Sequence, residues 1–226
     1  MIDSVRASRD GHEFHEAWTA RRALQLLLPS DDLHAIAVEG LSSPDNQRAA
    51  AASVEIADLT LYYGHFHTFE TAKRVVILQF KYSIRDERVV FRMSDAKKTI
   101  QKFAAAYTDH KTRFGVEPVE RKLEFTLVTN RPLYGAFESA VQAIARGQAL
   151  KGEAEKQAKQ FERACGFKAT ELRDFAKKIS VTGLTRNLSD SKRDLSTTLV
   201  DWSAASDTIA GARLNKIKQL VRDKAG

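Results

Sequence analysis

The stretch Val75–Ser83 reads Val-Val-Ile-Leu-Gln-Phe-Lys-Tyr-Ser. It is an apolar, β-branched run interrupted by Gln79 and Lys81. These two are two positions apart, so in a strand both side chains leave from one face. Val76, Leu78, Phe80 and Tyr82 take the other face. A lysine in so apolar a strand costs free energy unless a negative group lies beside it. Two acids precede it: Asp58, inside the strand-like run Val54–Tyr63, and Glu39, at the end of Leu33–Glu39. An acid, a second acid and Gln-x-Lys on three successive strands make a polar pocket at the edge of an apolar sheet. Its chemistry is that of a divalent metal and a phosphodiester. Glu39, Asp58, the amide oxygen of Gln79 and the peptide carbonyl of Phe80 are oxygen donors of the kind Mg²⁺ or Mn²⁺ takes. Lys81 is placed to orient or deprotonate the attacking water and to steady the charge of the transition state. Taken singly, each residue has a plainer reading. A strand Asp is a structural hydrogen bonder, a strand Lys snorkels at an edge, and Glu39 is a solvated strand end. Their order along the chain gives the catalytic reading its weight.

The elements that must position these residues read as α/β. Asp10-Gly-His-Glu13 has capping-box spacing, which predicts a helix from near Gly11. Phe14, Ala17, Trp18, Leu24, Leu27 and Leu28 form its buried stripe, and Pro29–Asp32 ends it. Strands follow at Leu33–Glu39, Val54–Tyr63 and Val75–Ser83, with a loop and a short turn of helix over Gly40–Ala52. Ser94 is expected to cap a helix running to Phe114, with Gly115 at its end. Leu123–Thr129 is a fourth strand and Tyr134–Gly147 a further helix. The order α-β-β-β-α-β-α predicts a mixed sheet flanked by helices. After Gly147 the pattern changes to short amphipathic segments, and helices are expected near 153–164, 170–178, 188–204 and 207–224. The domains so drawn are 1–150, carrying the site, and 151–226, a helical extension. The chain stops abruptly after a helix, as an excised part of a larger protein would.

Composition narrows the class. With 43% hydrophobic and 29% charged residues the chain is globular rather than disordered. One cysteine, Cys165, excludes an internal disulfide and suits a reducing compartment. No apolar run approaches the ~20 residues of a membrane span, and Met1–Arg9 lacks a signal-peptide core, so a cytoplasmic location is expected. The net charge of +7 is uneven: residues 1–145 hold 19 basic and 19 acidic side chains, and the remainder holds 17 against 10. A basic helical half beside an acidic site fits a polyanion such as double-stranded DNA. Lys177, Lys178, Lys192 and Arg193 are its candidate phosphate contacts. The same charge also fits a merely soluble helical surface.

Asp58 followed by Gln79-Phe-Lys81 resembles the PD-(D/E)xK nuclease superfamily, and most closely its Mrr-like branch, in which Gln stands for the first acid of the ExK pair. Three further stretches are similar to N-terminal nuclease domains of bacterial anti-phage effectors: Gly11-His-Glu-Phe-His-Glu-Ala-Trp18, the Val38-Glu39 strand end and Gln79-Phe-Lys-Tyr-Ser83. The resemblance covers roughly residues 11–135. It implies a restriction-endonuclease-like core, Asp58 and Gln79 as metal ligands, Lys81 as catalytic lysine and Glu39 as a further ligand. It also implies a Mg²⁺-dependent endonuclease of low sequence specificity, acting within a larger, homo-oligomeric defence protein. Glu16 is a further acid in the same position as one some relatives use, or a solvated helical Glu.

Other signals are weaker. His12-x-x-His15 and His65-Phe-His67 have metal-compatible spacing but no third ligand. Neither Gly-x-Ser-x-Gly nor a Walker loop occurs. Trp18 and Trp202 sit on helical stripes as core residues. Two alternatives to the DNA endonuclease stay open: an inactive nuclease fold serving as a DNA-binding or oligomerisation module, and an RNA nuclease.

Overall fold

The computed structural model describes residues 2–26, 32–183, 188–203 and 207–225. Its five strands are β1 (Leu33–Val38), β2 (Leu59–Tyr63), β3 (Arg74–Lys81), β4 (Leu123–Thr129) and β5 (Ile179–Thr182). They lie side by side in chain order. β1, β2 and β3 pair antiparallel, whereas β3, β4 and β5 are parallel. The chain passes from β1 to β2 through two short helical turns, and from β2 to β3 through the loop 64–73. The parallel pairs need crossovers, and these supply the helices: α4 (Met93–Phe114) and α5 (Val116–Lys122) before β4, then α6 (Gly135–Arg146), α7 (Gly152–Cys165) and α8 (Ala169–Lys177) before β5. The result is a mixed sheet flanked by helices, as the α/β reading expects.

The alternation read in Val75–Ser83 sets the two faces. Val75 and Ile77 join the larger core with Ile100 and Phe103 of α4, Phe125 and Leu127 of β4, Phe161 of α7 and Phe175 of α8. Val76, Leu78, Phe80 and Tyr82 face the other way, onto Phe14 and Trp18 of α1 (Ile2–Gln25). Trp18 lies 5.3 Å from the Phe80 ring, which fulfils its expected core role. On its outer side α1 buries Ala17 and Ala20 against Leu195, Leu199 and Leu214, from α9 (Leu188–Ser203) and α10 (Asp207–Ala225).

Several expectations are corrected. α1 begins at Ile2, so Asp10–Glu13 lies within the helix rather than capping it. The run Val54–Tyr63 is not all strand. Val54 and Glu55 belong to the short helix α3 (Ala51–Glu55), because the alanine-rich Ala51-Ala-Ser favours a helical turn, and β2 starts only at Leu59. Asp58 therefore stands at the mouth of the strand. α4 starts at Met93, and Asp95 rather than Ser94 caps it by accepting the Arg92 N–H. Residues 151–226 are not purely helical, since Ile179–Thr182 adds β5 to the sheet. Leu27, Leu28 and Pro29 lie outside the described residues, as does the Trp202 side chain.

Candidate active site

Register brings the predicted residues into one row. Val38 pairs with Leu59 and Leu59 with Leu78, so Glu39 just past β1, Asp58 just before β2 and Gln79 of β3 follow next to one another. Backbone bonds tie the row together: the Glu39 N–H donates to the Asp58 carbonyl at 2.9 Å, and the Asp58 N–H to the Leu78 carbonyl at 3.0 Å. Asp58 Oδ2 accepts two hydrogen bonds, from Gln79 Nε2 at 2.5 Å and from the Phe80 N–H at 2.6 Å. Oδ1 is left as the oxygen available to a cation. The N–H and C=O of one strand residue leave the same edge, so the Phe80 carbonyl also points to the side where β2 has ended. Two positions beyond Gln79, Lys81 emerges on Gln79's face, half-buried, beside Thr129 of β4. The chain after it is held by Asn130, whose side chain accepts the Ser83 N–H at 3.0 Å and donates to the Ser83 carbonyl at 2.8 Å.

Glu39 is aimed by a turn that sequence reading passes over. Its φ is +51°, and that of Gly40 is +150°. A left-handed conformation is strained for a glutamate, and here it is held from outside: the buried Thr60 hydroxyl donates to the Gly40 carbonyl at 2.7 Å. A side chain on Gly40 would press within 3.2 Å of Asn46, which itself accepts the Leu41 N–H. Beneath the turn, Asp45 accepts the Tyr62 hydroxyl and the Phe69 N–H, and Tyr62 in turn accepts the Ser42 N–H. Glu39 also lines a cleft of about 780 Å³ between β1 and α10, which leaves it open to approach from the sheet edge.

Burial is the largest influence on Asp58 and raises its carboxyl pKa. The Phe80 N–H, Lys81, Gln79 and Lys102 of α4 oppose that rise. A carboxylate held short of water in this way gains from an added cation. His15 of α1 packs on the Phe80 ring at 4.9 Å. Burial first, then His12, lowers its pKa to about 4, with Glu39 and Lys81 both within electrostatic reach. His15 and Lys102 were missed as neighbours of the site. A histidine on an apolar helix face and a lysine on an exposed one carry no sequence signal of their own.

Tested against a divalent ion, the donors fit in kind: two carboxylates, an amide and a peptide carbonyl, all hard oxygen ligands. They fall short in number of charged groups, since no cluster of three or more His, Cys, Asp or Glu converges among the described residues. Gln79 presents its NH₂ to Asp58, and ligation through its oxygen requires the amide to turn over. Glu16 is not a solvated helical Glu. It is buried and lies 3.7 Å from Lys218 of α10. His12 and His15 meet edge to face, 6.4 Å apart.

The four basic residues of the C-terminal segment are each paired within the chain. Lys177 meets Asp174 at 2.8 Å and Arg193 meets Asp190 at 2.9 Å. Lys192 binds Glu13 of α1, and the largely buried Lys178 donates to the Glu120 carbonyl. Lys177 and Lys178 precede β5, whose Ile179 pairs with Phe125, which in turn pairs with Ile77. They therefore lie at the end of the sheet away from Lys81. No helix among the described residues is long and apolar enough to cross a membrane.

No family model and no curated protein matches the sequence. Among solved structures, a Moraxella osloensis Cap4 SAVED/CARF-domain containing receptor is similar in fold over 96% of this chain, with a TM-score of 0.51 and 18% identity. The chain spans 44% of that protein's length.

Proposed function

We propose that the chain is a metal-dependent phosphodiesterase domain of the restriction-endonuclease-like PD-(D/E)xK kind, with Gln79 in place of the usual first acid. It hydrolyses double-stranded DNA with little sequence preference. The observation that carries the reading is the row of Glu39 just past β1, Asp58 just before β2 and Gln79 of β3, with Lys81 on Gln79's face. Glu39, Asp58 Oδ1, the Phe80 carbonyl and, once turned, the Gln79 amide oxygen would hold Mg²⁺ or Mn²⁺. When bound, the ion supplies Lewis acidity at the phosphoryl group and lowers the pKa of a water. The chain's own contribution is to fix the carboxylates through the ladder, to exclude water from one side of Asp58, and to bring the Lys81 ammonium to where negative charge develops. Similarity to a receptor more than twice as long supports placing the domain inside a larger defence protein that senses a signal and cuts nucleic acid in response.

A second reading rests on one observation: Gln79 donates to Asp58 instead of offering an oxygen. A fold in which that bond persists in the presence of metal is an inactive nucleic-acid-binding or oligomerisation module. Supercoiled plasmid incubated with the purified domain in Mg²⁺, Mn²⁺ or EDTA separates the two. Nicked and linear products that need the metal support hydrolysis. Intact plasmid in both metals, with RNA cleaved in parallel, moves the substrate to RNA. Intact DNA and RNA leave the inactive module.

A further inference from the structure

Helix α4 lies over the sheet face that carries Gln79 and Lys81. Ala96, Ile100, Phe103, Ala104 and Tyr107 bury its inner side. Lys98 and Lys102 are four residues apart and exposed, so they stack along one outer ridge. The ridge borders α3, where Lys102 Nζ lies 3.6 Å from Glu55 Oε2, three residues before Asp58. That pair is open to water, with about half of each side chain or more exposed, and such pairs contribute little and exchange readily for a stronger anion. Lys102 acts on the Asp58 carboxyl together with Lys81. Lys98 sits one turn nearer the loop that follows Lys81. Of the basic residues in the C-terminal segment, Lys177 and Lys178 lie at the end of the sheet away from Lys81, and Lys192 is tied to Glu13 of α1.

We infer that Lys98 and Lys102 form the phosphate-binding ridge that holds the backbone of duplex DNA against Asp58, Gln79 and Lys81. The inference deepens the phosphodiesterase reading and rests on it for the identity of the polymer. Lysines meet phosphates as point charges and read no bases, so the ridge confers grip without sequence preference.

Fluorescence anisotropy with a labelled 20-base-pair duplex, with Ca²⁺ in place of Mg²⁺, tests it across 50–200 mM salt. The double variant Lys98→Ala/Lys102→Ala should weaken Kd about tenfold at low salt and reduce the slope of log K against log salt by about 2, near 0.9 for each lost phosphate contact. Lys102→Arg should retain near wild-type affinity. Lys177→Ala/Arg193→Ala should stay within about twofold. An unchanged Kd and slope in the ridge double variant overturns the inference. So does a loss confined to Lys177→Ala/Arg193→Ala, and so does a wild-type domain that does not bind duplex. Ridge-dependent binding by a wild-type domain that cuts nothing in Mg²⁺ or Mn²⁺ upholds the ridge and removes the hydrolytic reading alone.

Discussion

In the proposed site Asp58 is the central carboxylate, and Gln79 is its side-chain hydrogen-bond partner. The Gln79 amide donates to Asp58 Oδ2 at 2.5 Å. Gln79→Glu replaces that donor by a second carboxylate beside one already short of water, a repulsion that only a cation relieves. The variant should melt several degrees below wild type in EDTA and recover most of that loss in Mg²⁺ or Mn²⁺, as read by thermal denaturation. Equal melting in both buffers would remove Gln79 from the ligand set. Protonation elsewhere gives a second residue-scale expectation. His110 is buried in α4 with Nδ1–H donating to the Ala106 carbonyl at 2.8 Å, and burial is the main cause that lowers its pKa to about 4. A base depressed in the folded state stabilises fully above its unfolded pKa of 6.5, and that contribution is lost as pH falls towards 4. The loss amounts to about 3 kcal/mol over the window. Urea denaturation at pH 7 and pH 4.5 should show it, and His110→Leu should reduce the difference. His15, lowered to about 4 by burial and His12, adds to it with the same sign.

At the scale of elements, the turn between β1 and α2 (Ser43–Asn46) matters as much as the strands, because it turns Glu39 into a left-handed backbone. Thr60→Val keeps the shape of the side chain and removes the bond to the Gly40 carbonyl. The cost should be about 1–3 kcal/mol for the buried acceptor left behind, with Mn²⁺ affinity falling about tenfold as Glu39 loses its aim. A variant with intact metal affinity would show that Thr60 only stabilises the sheet. Much of this scale was legible in the sequence. The alternation at 75–82 placed Gln79 and Lys81 on one face, and the spans of α7 and α8 followed from amphipathic spacing between Gly152, Gly166 and their flanking residues. What escaped has physical causes. Ile179-Ser-Val-Thr is too short to stand out from the helical pattern around it and becomes a strand only because β4 offers an edge. Ala51–Glu55 lies next to a true strand, and the apolar Val54 and Ile56 make its helical turn read as part of that strand. The ridge of Lys98 and Lys102 looks like any solvated helix face until the neighbouring Asp58 is seen.

For the whole molecule, residues 152–182 belong to the sheet's main core, while α9 and α10 pack on the outer side of α1. Phe161 and Phe175 are fully buried in the cluster that holds Phe103 and Phe125, and Phe175 lies 5.3 Å from the Tyr107 ring. Phe175→Ala should therefore cost about 3–5 kcal/mol of global stability in urea, and a loss below about 1 kcal/mol would return the segment to a separate unit. The two ends of the chain also meet, through Lys192 with Glu13 and Lys218 with Glu16, so α9 and α10 brace the helix on which His15 sits. All of this holds one row of four side chains in place, and the measurement that addresses that row most directly pairs plasmid cleavage with Mn²⁺ titration in Lys81→Ala and Asp58→Ala. On the proposed reading, Lys81 acts on the developing charge and Asp58 on the metal. Lys81→Ala should bind Mn²⁺ as wild type does while cutting at least about 10²-fold more slowly, and Asp58→Ala should lose both cleavage and Mn²⁺ binding. Wild-type cleavage by Lys81→Ala, or undiminished Mn²⁺ binding by Asp58→Ala, would contradict the assignment of this row as a metal-dependent phosphodiesterase site.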